Sequence, residues 1–84
     1  MRGREVIKRI MEAKGVTNAD IAKRLNLTNA AVWERLNNKN VKDIPVSLLS
    51  EMLRVLDYKI LVVPASARIP EKGYVVDGLS EKEE

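Results

Sequence analysis

The sequence predicts a mainly α fold, a bundle of four to five short helices followed by a C-terminal β strand or hairpin. Three observations predict it. Apolar residues recur at helical spacing through most of residues 3–56. Capping and turn-forming residues interrupt that pattern at short intervals, so each helix is brief. A β-branched run appears only after Asp57, which places any strand behind the helices.

The first helix is expected over residues 3–14, where apolar residues recur at intervals of three and four. Gly15 follows and offers the left-handed conformation in which many helices end. The residues expected to face the core are Val6, Ile7, Ile10 and Met11.

The second helix is expected over residues 18–25. Thr17 is a favourable N-cap, and Asp20 three residues later resembles a capping box. We expect the helix to stop at Asn26, because asparagine tolerates positive φ better than most non-glycine residues. Its apolar stripe consists of Ile21, Ala22 and Leu25.

The third and fourth helices follow the same logic. Thr28 is a second N-cap and predicts a helix over residues 29–37, with Ala31, Val32 and Leu36 inside. Asp43-Ile44-Pro45 predicts the start of the fourth helix, since proline suits the first helical turn. The residues expected to face the core from this helix are Val46, Leu49, Met52, Leu53 and Leu56.

The segment after Asp57 is β-branched and aromatic, and Pro64 closes it. We expect one strand over residues 58–63 and a second at 74–76. The first strand can pair with the second as a hairpin, or with its own copy across a two-fold axis. We favour a dimer sheet with contributions from both. The residues expected to mediate dimerisation are Tyr58, Ile60, Leu61, Val62, Val63 and Tyr74.

Composition excludes several classes of site. The chain has no cysteine and no histidine, which removes disulfides, zinc sites built on those ligands and imidazole chemistry. No apolar run approaches the roughly 20 residues that span a bilayer, and the start does not resemble a signal peptide. We therefore expect a cytoplasmic protein with no cofactor, no metal and no membrane partner.

Charge is unevenly distributed. Residues 1–42 contain ten Lys/Arg and four Asp/Glu, a net charge of +6, so the rest must carry −3 to give the total of +3. A basic half beside an acidic half suggests one face for a polyanion.

Two short helices and a tight turn between residues 16 and 37 are the feature that points to function. Each helix is too short to be stable alone, so the pair must be stabilised by mutual packing. The outer face at the front of the third helix suits insertion into the major groove, whose width just admits a helix.

Residues 16–39, VTNADIAKRLNLTNAAVWERLNNK, resemble the phage-repressor-like (lambda repressor or XRE-type) helix-turn-helix family. The resemblance covers about residues 4–57 and implies a lambda-repressor-like bundle. The following LDYKILVVP is similar to segments in short phage and mobile-element regulators. Asn26 stands where the family usually has glycine. Arg35 stands where an apolar residue is common, so Leu36 takes the inward role.

The resemblance implies a role for each matching position. Asn18 would contact phosphate together with the helix N-terminus. Asn29 and Ala30 match the positions that reach base edges, with Trp33 and Glu34 on the groove side or its rim. The full set of expected DNA-binding residues is Asn18, Lys23, Arg24, Thr28, Asn29, Ala30, Trp33, Glu34, Asn37, Asn38 and Lys39, with Arg35 and Lys42 as further phosphate contacts.

Each of these residues also has an ordinary structural explanation. Thr28 is an N-cap first and a DNA contact second. Trp33 can instead pack against the fourth helix or a partner, and Glu34 can form an ion pair with a nearby Lys or Arg. The whole unit can be a helical bundle without a nucleic-acid role.

The expected organisation is a DNA-binding domain over residues 1–57, a dimerisation element over 58–78 and a flexible acidic tail over 79–84. The expected function is a transcriptional repressor that binds a palindromic operator as a homodimer, with double-stranded DNA as its partner. The alternative is an antitoxin or phage-encoded inhibitor that mainly binds another protein, a toxin or a host protein. An enzyme is not expected, since nothing indicates that Asp20, Glu34 and Glu51 share a cleft.

Overall fold

The computed structural model describes residues 1–38 and 43–76. Within them lie four helices: α1 Gly3–Lys14, α2 Asn18–Leu25, α3 Asn29–Asn37 and α4 Val46–Val55. Helices α1 and α2 each contact both α3 and α4. The bounds of the first three helices confirm the prediction, because their start and stop signals are local in sequence.

One apolar core lies between the four helices, and no described polar side chain is buried in it. All four residues predicted to face inward from α1 are buried, as are Ile21 and Ala22 of α2. Leu25 packs against the core but is only partly buried. The largest fully buried side chains are Ile7, Ile10, Ile21, Val32, Leu36, Met52 and Leu56.

The start of α1 is held by a carboxylate from far along the chain. Asp43 Oδ2 accepts a hydrogen bond of 2.9 Å from the Gly3 N–H, and Asp43 Oδ1 accepts one of 3.1 Å from the Arg4 N–H. These are two of the N–H groups that a helix start leaves without an internal partner. Asp43 therefore closes the fold around α1, and its negative charge lies at the positive end of that helix.

Position 3 has little room for a side chain at this contact. A Cβ added to Gly3 would lie 3.1 Å from Leu49 Cδ2 and 3.5 Å from Asp43 Oδ1. The absence of a side chain thus lets the start of α1 approach α4 closely.

Three helices end in the same left-handed turn. Gly15, Asn26 and Asp57 have φ values of 70°, 59° and 68°. The next residue in each case returns its N–H to the last turn of the helix, as in Tyr58 N–H to Leu53 O at 2.8 Å. These Schellman turns fix the direction in which the chain leaves each helix.

Helix α2 begins with reciprocal capping. Thr17 Oγ1 accepts from the Asp20 N–H at 3.2 Å, and Asp20 Oδ2 accepts from the Thr17 N–H at 2.9 Å. The Thr17 backbone N–H, the Thr17 hydroxyl and, more weakly, Lys23 hold the pKa of Asp20 below its ordinary value of 3.8. The predicted capping box is confirmed.

The start of α4 was predicted too early. The helix begins at Val46, with Pro45 as its N-cap, because Asp43 is engaged with α1. Val46 was expected inside but is 70% exposed. Ile44, from the segment before the helix, is only 6% exposed and fills the core at this end. The other four predicted inward residues of α4 are buried.

The predicted strands at 58–63 and 74–76 are not formed in the described part of this single chain. A strand requires a partner backbone, and the expected intrachain hairpin does not provide one. The two segments meet at their tyrosines, whose rings lie 6.3 Å apart. The predicted tail at 79–84 and the end of the 58–78 element lie outside the described residues.

None of the described helices combines the length and the apolar character that crossing a membrane requires.

Replacing Asp43 with alanine is expected to lower the free energy of unfolding by about 1–2 kcal/mol, because two N–H groups of α1 lose their acceptor. Urea denaturation followed by far-ultraviolet circular dichroism measures it. Glu51→Ala, on the exposed face of α4, is the control and should leave the midpoint nearly unchanged. Equal midpoints for Asp43→Ala and the wild type would contradict this role.

The lowered pKa of Asp20 predicts a pH-dependent contribution to stability. A carboxyl whose folded pKa is depressed stabilises the fold above its ordinary pKa, and this is lost as pH falls through the folded value. The wild type should therefore exceed Asp20→Asn in urea midpoint at pH 7, and the gap should shrink below pH 3.8. The gap should be small because the group is exposed. Glu12→Gln, remote from any helix start, is the control; a gap independent of pH would count against the cap.

Candidate nucleic-acid interface

Helices α2 and α3 form one compact unit joined by residues 26–28. Asn26 turns the chain in the left-handed conformation, and the Leu27 N–H donates to Ala22 O at 2.8 Å. Thr28 then starts α3 by accepting from the Ala31 N–H at 3.0 Å. This is a helix, a tight turn and a second helix, as the sequence predicted.

The inner face of α3 sets its rotation. Val32 and Leu36 are almost fully buried, and Ala22 of α2 is buried beside them in the core. Arg35 is exposed, which confirms that Leu36 rather than Arg35 takes the inward role. The rotation of α3, and hence its outer face, follows from this packing.

The outer face of α3 is open to solvent. Asn29, Ala30 and Glu34 are exposed, and Trp33 is 54% exposed. Among the described residues, the Asn29 side chain has no hydrogen-bond partner, so its amide is available to a ligand. Trp33 does not pack into the core, although large apolar side chains usually do.

The C-terminal end of α3 is tied down by side chains. Asn37 Nδ2 donates to Trp33 O at 3.0 Å, and Asn38 Nδ2 donates to Glu34 Oε1 at 2.8 Å. Glu34 was expected to pair with a Lys or Arg; among the described residues it accepts this hydrogen bond from Asn38. Two of the asparagines assigned to the DNA backbone thus already stabilise the helix end.

Arg4 was not predicted as part of this region. Its Nη1 donates to Asn38 O at 2.7 Å, which links α1 to the end of α3. The contact joins residues 34 positions apart, so no local pattern pointed to it. The one local sign of a special role for Arg4 was its place in the first turn of α1, since helix starts favour acidic side chains.

The start of α2 is less favourable for binding phosphate than its end. Asn18 is half-buried, and the Asp20 carboxylate already occupies the capping position beside it. Lys23 and Arg24, near the end of α2, are exposed. Lys39 and Lys42 lie outside the described residues. The exposed cations of the described interface are therefore Lys23, Arg24 and Arg35.

The described residues contain no group of three or more acidic side chains placed to hold a metal ion. Asp20 and Glu34 are engaged in the hydrogen bonds given above. The geometry accordingly provides an exposed helix face with polar and cationic groups around it, which suits binding to a polyanion.

Comparison with known families agrees with this geometry. Residues 2–38 match the family model described as winged helix-turn-helix DNA-binding. The match covers less than half of the chain and includes α1, α2 and α3. No curated protein and no solved structure was found to match the chain. The family match and the arrangement of α2 and α3 together support a helix-turn-helix unit of the DNA-binding type.

Proposed function

We propose that this chain is a sequence-specific DNA-binding transcription regulator that acts as a repressor by occupying a promoter. The outer face of α3 carries the proposal. It presents an amide without a partner among the described residues, a methyl group and an indole ring on one short helix held by the core.

Helix α3 enters the major groove and reads the bases there. Asn29 can pair bidentately with adenine, and the Ala30 methyl can contact the methyl group of thymine. Trp33, one turn after Asn29, adds an apolar surface on the same side. Thr28 and Glu34 flank this set, while Asn37 and Asn38 approach the backbone at the far end.

The surrounding cations position the protein without reading sequence. Lys23, Arg24 and Arg35 are exposed around the unit. Asn18 and Lys39, of which Lys39 lies outside the described residues, are further proposed phosphate contacts. Contacts to phosphate provide affinity that falls steeply with salt. This is consistent with the net charge of +6 over residues 1–42.

The regulator binds as a homodimer to a palindromic operator, with half-sites about 10 base pairs apart or a multiple of that distance. DNA as the target places it in the cytoplasm, and binding rather than catalysis is its role. The domain over residues 1–57 contacts DNA, and the element that begins at residue 58 pairs two chains.

Selection of random duplex DNA by the purified protein, followed by a salt titration on the selected site, tests this function. A palindromic site bound by two chains supports it. Steep salt dependence without sequence preference would reduce the function to backbone binding. No binding at moderate salt would overturn it and favour a protein whose main role is to bind another protein.

Asn29→Ala should weaken binding to the selected site by about 1–3 kcal/mol for each half-site, roughly 5- to 150-fold each, because each chain loses a bidentate contact to a base. It should also relax the preference at one base pair of each half-site. Fluorescence anisotropy with labelled duplexes measures both. Ser50→Ala, on the exposed face of α4, is the matched control and should bind as the wild type does.

Trp33 is the only tryptophan, so its fluorescence reports directly on the outer face of α3. Its emission should change when the selected duplex is added. Replacing a thymine whose methyl group lies against Trp33, as distinct from the one that contacts Ala30, with uracil removes one methyl group and should weaken wild-type binding about fourfold, from about 0.8 kcal/mol per buried carbon. The uracil substitution should leave the affinity of Trp33→Ala unchanged and should still weaken the binding of Asn29→Ala. Unchanged emission on a bound site would place Trp33 away from the bases.

A further inference from the structure

An apolar segment follows the helices and is left uncovered by the rest of the described residues. Apart from Trp33 and Val46, every large exposed apolar side chain of the described residues lies between 60 and 76. Leu61 is 64% exposed and Val62 is 90% exposed. A cluster of exposed apolar side chains of this kind is typical of an interaction site in a folded protein.

The backbone of the same segment is also without hydrogen-bond partners among the described residues. Among the described residues, positions 59–63 make no backbone hydrogen bond to the rest of the chain. The unpaired stretch is bounded on both sides. The Tyr58 N–H is already bound to Leu53 O, and Pro64 has no N–H. A window of five residues is therefore open to strand pairing, with Leu61 at its centre.

Tyr58, the residue directly before the window, is anchored to the helical body. Asp57 closes the Schellman turn of α4, and Tyr58 packs against the core. The Tyr58 ring lies against Tyr74, and Lys14 Nζ lies 5.7 Å from its centroid. The point at which the segment leaves the helical body is thus fixed before any partner arrives, which lowers the entropy cost of pairing.

We propose that residues 59–63 pair with the same residues of a second copy of this chain, as antiparallel strands around a two-fold axis at Leu61. This deepens the proposed function, because it rests on the homodimer stated there and names the surface that forms it. Leu61 of one chain then faces Leu61 of the other, and Ile60 faces Val62.

Charge favours a second copy as the occupant. Lys59 is the only charged residue of the window and lies at its end. In the register centred on Leu61 it faces Val63 of the other chain, so no like charges meet across the pair. The segment is complementary to itself in sequence, length and backbone hydrogen bonding, as an isologous interface requires.

The first test is the oligomeric state of the full chain without DNA, measured by sedimentation equilibrium over a range of concentrations. The wild type should be a dimer. Leu61→Asp should be a monomer with an unchanged helical circular dichroism spectrum, because it places two negative charges opposite each other outside the core. Val46→Asp, which charges the exposed apolar residue of α4, is the matched control and should remain a dimer.

The register is tested by single cysteines, since the chain has none of its own. Opposed residues of antiparallel strands have Cα atoms about 4.5–5.5 Å apart, within reach of a disulfide. Leu61→Cys should therefore cross-link two chains on mild oxidation. Val63→Cys should not, since position 63 of one chain faces position 59 of the other.

A monomeric wild type, a dimer insensitive to Leu61→Asp, or equal cross-linking by both cysteines would overturn the proposal. These outcomes differ from failure of the DNA-binding function. A dimer that binds no DNA would leave this interface in place. A monomer that selects a single half-site would keep the DNA-binding role and remove the interface.

Discussion

The carboxylate of Asp43 joins the segment before α4 to the start of α1. It accepts from the first two N–H groups of α1, 39 and 40 residues away in sequence. Gly3 permits this approach because any side chain there would meet Leu49. Arg4, whose N–H is bound to Asp43, uses its guanidinium to hold the carbonyl of Asn38. One corner of the fold thereby aligns α1, the end of α3 and the approach to α4.

The contacts of Asp43 also show which parts of the fold could be predicted from the sequence. The first three helices followed from apolar spacing and from caps such as Thr17 and Thr28, all within a few residues of what they control. Asp43 looked like the start of α4 by the same local reasoning. Its real acceptor role lies with α1, which no pattern along the chain displays. Val46 was misplaced for a related reason, since Ile44 from outside the helix took its place in the core.

The candidate interface also has features that the sequence predicted and features that it did not. The inward rotation of Val32 and Leu36, and with it the outward position of Asn29 and Trp33, followed from helical periodicity. The hydrogen bond between Asn38 and Glu34 and the contact of Arg4 could not be predicted from helical periodicity. Side chains at a helix end have several possible partners of similar energy. The β-branched run after Asp57 indicated strand character. Among the described residues no second backbone pairs with it, so the run forms no strand there.

Pro64 has a consequence for the size of any assembly built on this segment. A two-stranded ribbon still has two outer edges, and an apolar run with free edges can recruit further strands without limit. Proline at one end and the charge of Lys59 at the other are the residues that natural sheets use to stop such growth. Pro70 adds a second interruption before the next apolar residues, Val75 and Val76. The four apolar residues 60–63 are thus flanked by residues that oppose fibril formation.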